Sequence, residues 1–296
     1  MRLSNYVGNT PLIPITMSGY TAWCKCEFMN PGGSVKDRMA TYIINDAEDK
    51  RLIKKGDTLI EATSGNTGIA FAMLAAERGY KIKIVMPSNM SEERKQMLRF
   101  YGADLIQVEP GDFDGAINMR DGLADINGWF NCNQFHNPLN IEAHYKNTGP
   151  EIDKQFRKYS NEDFWPQAFI AGTGTGGTIM GAGKYLQEKF PGMNLVAVEP
   201  AESAVMSGCD PGLHGIQGIG DGSKFLVDMN KIHSVRTVHT ECAKNVARHL
   251  ALREGLFVGI SAGANVMASF EYMRDNNIKN VITILCDRGE RYFSCL

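Results

Sequence analysis

No apolar run in this 296-residue sequence approaches the roughly 18 residues that a membrane-spanning helix needs. Met1-Arg2-Leu3-Ser4-Asn5 does not lead into the apolar core of a secretory signal. Net charge is also nearly absent, since 31 Lys and Arg stand against 33 Asp and Glu, a formal −2. That balance argues against a nucleic-acid partner or an anionic membrane surface. The seven cysteines lack the even count of a disulfide framework. Cys24 and Cys26 form C-x-C on an expected strand, and no second ligand pair accompanies them. They read as reduced thiols of a cytosolic protein. Repeats, low-complexity segments, a Ser-His-Asp arrangement and a metal-ligand cluster are all missing from the sequence.

Three glycine-rich turns stand out against this background. Asn30-Pro31-Gly32-Gly33-Ser34-Val35-Lys36-Asp37-Arg38 precedes Met39, Ala40, Ile43, Ile44 and Ala47, which have helical spacing. Ser34 suits an N-cap with Asp37 three residues later, so Lys36 falls in the first turn. A solvated lysine is mildly disfavoured at the positive end of a helix dipole. A lysine that forms a Schiff base works instead as a neutral amine. Thr63-Ser64-Gly65-Asn66-Thr67-Gly68 follows an expected strand, Thr58–Ala62, and opens an expected helix, Ile69–Arg78. Gly172-Thr173-Gly174-Thr175-Gly176-Gly177-Thr178 does the same after Phe169-Ile170-Ala171. Each turn presents backbone N–H groups and short hydroxyls to an anion, and each alone reads equally as a tight strand-to-helix turn.

Strands and helices alternate along the chain, which favours parallel sheet packed between helices. Thr58–Ala62, Lys81–Met86 and Asp104–Val108 are expected in one unit. Phe169–Ala171, Leu195–Val198, Leu256–Ile260 and Val281–Cys286 are expected in a second. The stretch from Ser203 to Lys224 reads as a polar rim loop.

Taken in order, the NPGGSVKDR, TSGNTG and GTGGT segments resemble the pyridoxal-phosphate-dependent cysteine synthase family, including its cystathionine β-synthase relatives. Gly8-Asn9-Thr10-Pro11-Leu12, Gln134-Phe135-His136-Asn137-Pro138, Thr148-Gly149-Pro150-Glu151, Gly259-Ile260-Ser261-Ala262-Gly263 and Gly289-Glu290-Arg291-Tyr292 agree with it, so the resemblance covers nearly the whole chain. It implies a tryptophan-synthase-β-like α/β fold (fold type II), two three-layer domains with the cofactor between them. Residues 1–30 with 144–296 form the larger, cofactor-binding domain, and 31–143 form the smaller, mobile one that carries the substrate turn.

The same resemblance implies pyridoxal 5′-phosphate held by Lys36, which also removes the substrate α-proton. Gly174, Thr175, Gly176, Gly177 and Thr178 bind its phosphate, Asn66 its phenolic oxygen and Ser261 its pyridine nitrogen. Ser261 is neutral and does not force that nitrogen to be protonated, which leaves a moderate electron sink suited to elimination. Thr63, Ser64, Gly65, Thr67 and Gln134 bind the substrate α-carboxylate, while His136 and His144 read as structural. The implied reaction replaces the acetoxy group of O-acetyl-L-serine by sulfide, giving L-cysteine and acetate with ping-pong kinetics. The implied protein is a cytoplasmic homodimer, with serine acetyltransferase as a possible partner, no metal and no haem-binding or regulatory extension.

The sulfur donor is the open point. Gln217-Gly218-Ile219-Gly220 resembles the type A enzymes, whereas Cys286-Asp287-Arg288-Gly289 resembles type B. Arg288 offers a cation for thiosulfate, giving S-sulfocysteine, or is tied up by Asp287 or Glu290. Asp221 suits the amino group of homocysteine, as in a cystathionine β-synthase, or is a solvated loop acid. A rival from another class also exists. Gly172, Gly174 and Gly177 satisfy G-x-G-x-x-G, and Glu199 follows as the acid of a dinucleotide site, which describes an NAD-dependent oxidoreductase. A third reading is a non-catalytic binding protein on the same fold.

Overall fold

The computed structural model describes residues 2–63, 65–90, 92–159 and 165–295. Its strands are β1 (Leu12–Met17), β2 (Tyr20–Cys26), β3 (Thr58–Ala62), β4 (Lys81–Pro87), β5 (Asp104–Val108), β6 (Phe130–Asn131), β7 (Ala168–Gly172), β8 (Asn194–Pro200), β9 (Ser234–Val238) and β10 (Asn280–Leu285). The helices are α1 (Lys36–Asp49), α2 (Asn66–Arg78), α3 (Glu92–Phe100), α4 (Phe113–Asn127), α5 (Leu139–Ala143), α6 (Gly149–Phe156), α7 (Gly177–Lys189), α8 (Thr240–Glu254) and α9 (Ile260–Asn276).

The chain divides into two compact units, Met1–Val7 with Lys36–Asn140, and Gly8–Val35 with Ile141–Leu296. The smaller carries a parallel sheet in the order β5-β4-β3-β6. Successive strand residues face opposite sides. Leu59 therefore joins Met39, Ile43 and Phe71 under α1 and α2, while Ile60 joins Ala116 and Ala124 of α4. Both faces are covered, as a parallel sheet requires.

The larger unit holds a six-stranded sheet in the order β1-β2-β10-β7-β8-β9, parallel except for the β1–β2 hairpin. Ala22, Cys24 and Cys26 face a core shared with α8 and α9, while Trp23 faces Ile152, Phe156 and Ile179 on the other side. α8 and α9 approach so closely that a Cβ on Gly263 would lie 2.1 Å from the Ala243 carbonyl oxygen. In β2, Lys25 is fully buried and donates to Thr10 O at 2.5 Å, Glu151 Oε2 at 2.8 Å and Gln155 Oε1 at 2.9 Å. Three acceptors use all three ammonium hydrogens, which is how an interior lysine is tolerated.

The stretch before Asn30 pairs with the second sheet, through β2 and β10. Two expectations need correction. Leu256–Ile260 is not a strand: only Val258 makes an isolated bridge, to Arg288, and α9 already begins at Ile260. Only its last three residues, Val258 to Ile260, are buried, where the chain enters α9, and Phe257 is exposed. The unit boundaries also differ at the N-terminus, where residues 1–7 belong with the smaller unit. There the Ser4 N–H donates to Glu77 Oε1 at 2.8 Å, and Arg78 Nη2 donates to Ser4 Oγ at 3.2 Å. The strand β9, Ser-Val-Arg-Thr-Val, was not expected, because its polar alternation gives little apolar signal.

The cysteines are free thiols. Burial pushes the Cys24 and Cys132 thiols well up from their ordinary value, and pushes Cys26 to about 12. The thiolate is the reactive form. Titration with a chromogenic disulfide at pH 8 is therefore expected to modify the exposed Cys209 promptly, and Cys24, Cys26 and Cys132 only after denaturant is added. Prompt labelling of those three in the folded protein would contradict the packing of β2 and β6.

Candidate active site

In parallel α/β sheets, ligands bind beyond the carboxyl ends of the strands, where helix N-termini point at them. In the smaller unit β3 ends at Ala62 and α2 begins at Asn66, leaving a short turn whose Thr63 N–H donates to Val85 O at 3.0 Å. The Gly65 N–H donates to Thr63 Oγ1 at 3.2 Å, and no side chain caps the helix start. Ser64 lies outside the described residues. Thr67, buried in the first turn of α2, donates its hydroxyl to Gln134 Oε1 at 2.6 Å. Gln134 Nε2 donates to Ala62 O at 3.2 Å. A carbonyl only accepts, so these two contacts fix which way the amide is turned. Among the described residues, Ala62 O is the one acceptor that Nε2 meets.

Gln134 is held from behind by Glu61, which sequence reasoning missed. Glu61 Oε2 accepts the Gln134 N–H at 3.0 Å, and Oε1 accepts the Ala62 N–H at 2.8 Å and Arg120 Nη1 at 3.1 Å. The Asn140 side chain donates to Gln134 O at 2.9 Å. Glu61 and Arg120 are essentially inaccessible to water, at 0% and 1% exposure. Burial pushes the Glu61 carboxyl above its ordinary value, opposed by the Arg120 guanidinium and the two backbone N–H groups. Two signals mark the pair in the sequence: a glutamate in the apolar strand Thr-Leu-Ile-Glu-Ala, and an arginine on the α4 stripe between Ala116 and Ala124.

In the larger unit β7 runs into Thr173-Gly174-Thr175-Gly176 and then α7. Gly176, the N-cap, has φ +90° and no side chain, and the Gly177 N–H donates to Thr175 Oγ1 at 3.4 Å. A Cβ on Gly174 would lie 2.7 Å from Gly218 O, and one on Gly176 2.6 Å from Val227 Cγ2, so both positions require glycine. The N-terminus of a 13-residue helix, with a glycine N-cap and hydroxyls at Thr175 and Thr178, suits a phosphate dianion. Thr178 Oγ1 lies 3.3 Å from His144 Nε2, and His144 Nδ1 lies 2.8 Å from Thr148 Oγ1, consistent with a structural His144. Ser261 is buried in the first turn of α9. Asn265, one turn further, accepts the Gly172 N–H at 2.7 Å and donates to Ile284 O at 2.9 Å. It ties the start of the anion turn to the Ser261 helix and the end of β10, a link no local pattern announces.

Thr63, Gly65, Asn66, Thr67 and Gln134 thus gather at the end of β3, and Gly174 to Thr178 and Ser261 are joined through Asn265 in the other unit. Lys36 is the first residue of α1 and half-buried, as the loop motif led one to expect. The dinucleotide reading fails on Glu199. Its carboxylate already accepts Met206 N–H at 2.7 Å, Ser207 N–H at 3.0 Å and Ser207 Oγ at 2.6 Å, leaving it poorly placed for ribose hydroxyls.

Replacing Thr67 by Val keeps the shape but removes the donor to a buried oxygen. The expected cost is about 1–3 kcal/mol of unfolding free energy, read as a lower urea midpoint, with Thr67→Ser near the parent. A Thr67→Val protein as stable as the parent would show that the hydroxyl does not hold Gln134.

A family model described as pyridoxal-phosphate dependent enzyme matches residues 3–287. The chain is 40% identical to a cysteine synthase of Staphylococcus aureus over 302 residues, covering 99% of this chain and 95% of that protein. It is 42% identical to a cysteine synthase B of Campylobacter jejuni over 299 residues, covering 99% and 97%. The crystal structure of an O-ureido-L-serine synthase superposes with a TM-score of 0.92 at 37% identity, covering 100% of this chain and 94% of that one. The tryptophan-synthase-β-like fold implied by the motifs is the fold observed. With both the anion turn and the amino-acid turn in place on that fold, the chain belongs to the family of pyridoxal-phosphate dependent enzymes.

Proposed function

We propose that this protein is a cysteine synthase, which replaces the acetoxy group of O-acetyl-L-serine by sulfide to give L-cysteine and acetate. The observation that carries the reading is Gln134, whose carbonyl oxygen is engaged by Thr67 and whose amide, with Ala62 O as its one acceptor among the described residues, offers its second hydrogen to a substrate carboxylate. The names of the full-length relatives support the same reaction.

The larger unit provides for the cofactor. Backbone N–H groups of Gly174, Gly176 and Gly177, with the Thr175 and Thr178 hydroxyls, would hold the phosphate of pyridoxal 5′-phosphate, and the Ser261 hydroxyl would meet its ring nitrogen. Asn66 would donate to the phenolic oxygen, and Lys36 would hold the aldehyde. When bound, the cofactor supplies a sink for the electron pair left on the substrate Cα. Released from the aldehyde by the substrate's own amine, the Lys36 Nζ would take the proton from Cα. Thr63, Ser64, Gly65, Thr67 and Gln134 orient the α-carboxylate so that the acetoxy group can leave from Cβ.

Sulfide needs no dedicated site, whereas thiosulfate needs a free cation. Arg288 is already engaged: its Nε donates to Phe28 O at 3.0 Å, and its Nη1 lies 3.8 Å from Glu290. Asp221 is solvent-exposed. Sulfide is therefore the first donor, ahead of thiosulfate and homocysteine. The homodimer, the serine acetyltransferase partner and the cytoplasmic setting are proposed from the family resemblance, with the free thiols in keeping. Light scattering and co-purification with the acetyltransferase test the first two.

Purified protein is expected to be yellow, to carry a borohydride-fixed phosphopyridoxyl group on Lys36 by peptide mass mapping, and to make cysteine from O-acetylserine and sulfide. Lys36→Ala should keep the fold and lose turnover. Full activity of that variant would remove Lys36 from the chemistry, and homocysteine outcompeting sulfide at equal concentration would move the protein to the cystathionine β-synthase reaction.

A further inference from the structure

Arg120 occupies a position where the fold calls for an apolar residue. It lies four residues after Ala116 and four before Ala124, on the stripe by which α4 packs against β3. Its Nε and Nη2 meet Asp121 Oδ1 at 2.9 and 2.8 Å, and that oxygen accepts Asn131 Nδ2 at 2.7 Å. The guanidinium is thus fixed at both ends, with Nη1 on Glu61. A buried ion pair is weak evidence for stability, since apolar residues of similar volume often serve as well or better. Its placement offers another role. One Glu61 carboxylate joins the Ala62 N–H, where the Thr63–Thr67 turn leaves the strand, to the Gln134 N–H.

We propose that the Glu61–Arg120 ion pair is a positioning pair for the substrate α-carboxylate, an inference that rests on the cysteine synthase reading. Glu61 sets Gln134 against the turn that carries Thr67. Arg120 offsets the buried charge of Glu61, the carboxylate that touches Gln134, while Asp121, the other partner of the guanidinium, is 48% exposed and screened by water. Without Arg120, the buried Glu61 either stays charged and repels an incoming carboxylate, or takes a proton that turns one of its oxygens from acceptor to donor and loosens its hold on the Ala62 and Gln134 N–H groups; either change weakens the carboxylate contact and spares a ligand that lacks the carboxylate.

The discriminating probes are L-alanine, which has the amino-acid groups but no leaving group, and L-alaninamide, which lacks the carboxylate. Both are titrated calorimetrically into the holoenzyme and its Arg120→Met, Arg120→Lys and Glu61→Gln variants. Arg120→Met is expected to weaken L-alanine by about tenfold or more, the scale of one charge-assisted contact, and to leave L-alaninamide unchanged. Arg120→Lys, which keeps the charge without the fork, should fall between, and it carries the test if Arg120→Met does not fold. In turnover, kcat/KM for O-acetylserine should drop while kcat/KM for sulfide holds. Equal weakening of both probes, or of neither, in folded Arg120 variants overturns the positioning role. Equal binding of both probes by the unaltered protein overturns the carboxylate site itself, and the proposal with it.

Discussion

A parallel strand that runs past its neighbour leaves backbone groups facing an empty lane, and buried groups of that kind have to be paired. Both of the turns that matter here grow from such strands. β6 pairs with β3 only at Leu59 and Ile60, so Ala62 finds its partners in Glu61 Oε1 and Gln134 Nε2. β10 pairs with β7 only as far as Ile170, so the Gly172 N–H is met by Asn265 Oδ1. In each case a side chain completes the ladder beside the adjoining turn. On the cysteine synthase reading, the need to satisfy the strand end and the need to place a ligand group would be met by neighbouring atoms.

This explains what could be read from the sequence and what could not. The glycine-rich turns, the start of α1 at Lys36 and the strands β3 to β5 follow from local spacing and turn chemistry. So does the placement of Cys24 and Cys26 on one face of β2, since alternate strand residues share a side. The partners that hold the turns were hidden because they lie far away in the chain: Glu61 reaches Gln134 across 73 positions, and Gly172 reaches Asn265 across 93. Leu256–Ile260 was misread because a short apolar run fits a buried helix start as well as a strand. β9 escaped because half its residues are polar.

Buried charge is used in two different ways. Lys25 has a full set of acceptors and packs the β1–β2 hairpin against α6, where it meets Glu151 and Gln155. Glu199 is likewise saturated, by Met206 and Ser207, and pins the segment that follows β8. Glu61 differs, because the groups it collects are those that face the amino-acid turn. Position in the hydrogen-bond network separates these roles, as burial alone does not.

The order of the strands also bears on how the chain is made. The smaller sheet is complete once residue 131 has emerged, since β3 to β6 all precede it. The larger sheet cannot close until β10 has been made, because Thr21 on β2 pairs with Asn280 on β10. The early hairpin must wait with its inner edge unpaired while the rest of the polypeptide is added. Long-range parallel pairing is slow and exposes apolar strand edges, so the period between making β2 and making β10 is when a nascent copy is most open to aggregation and most in need of a chaperone.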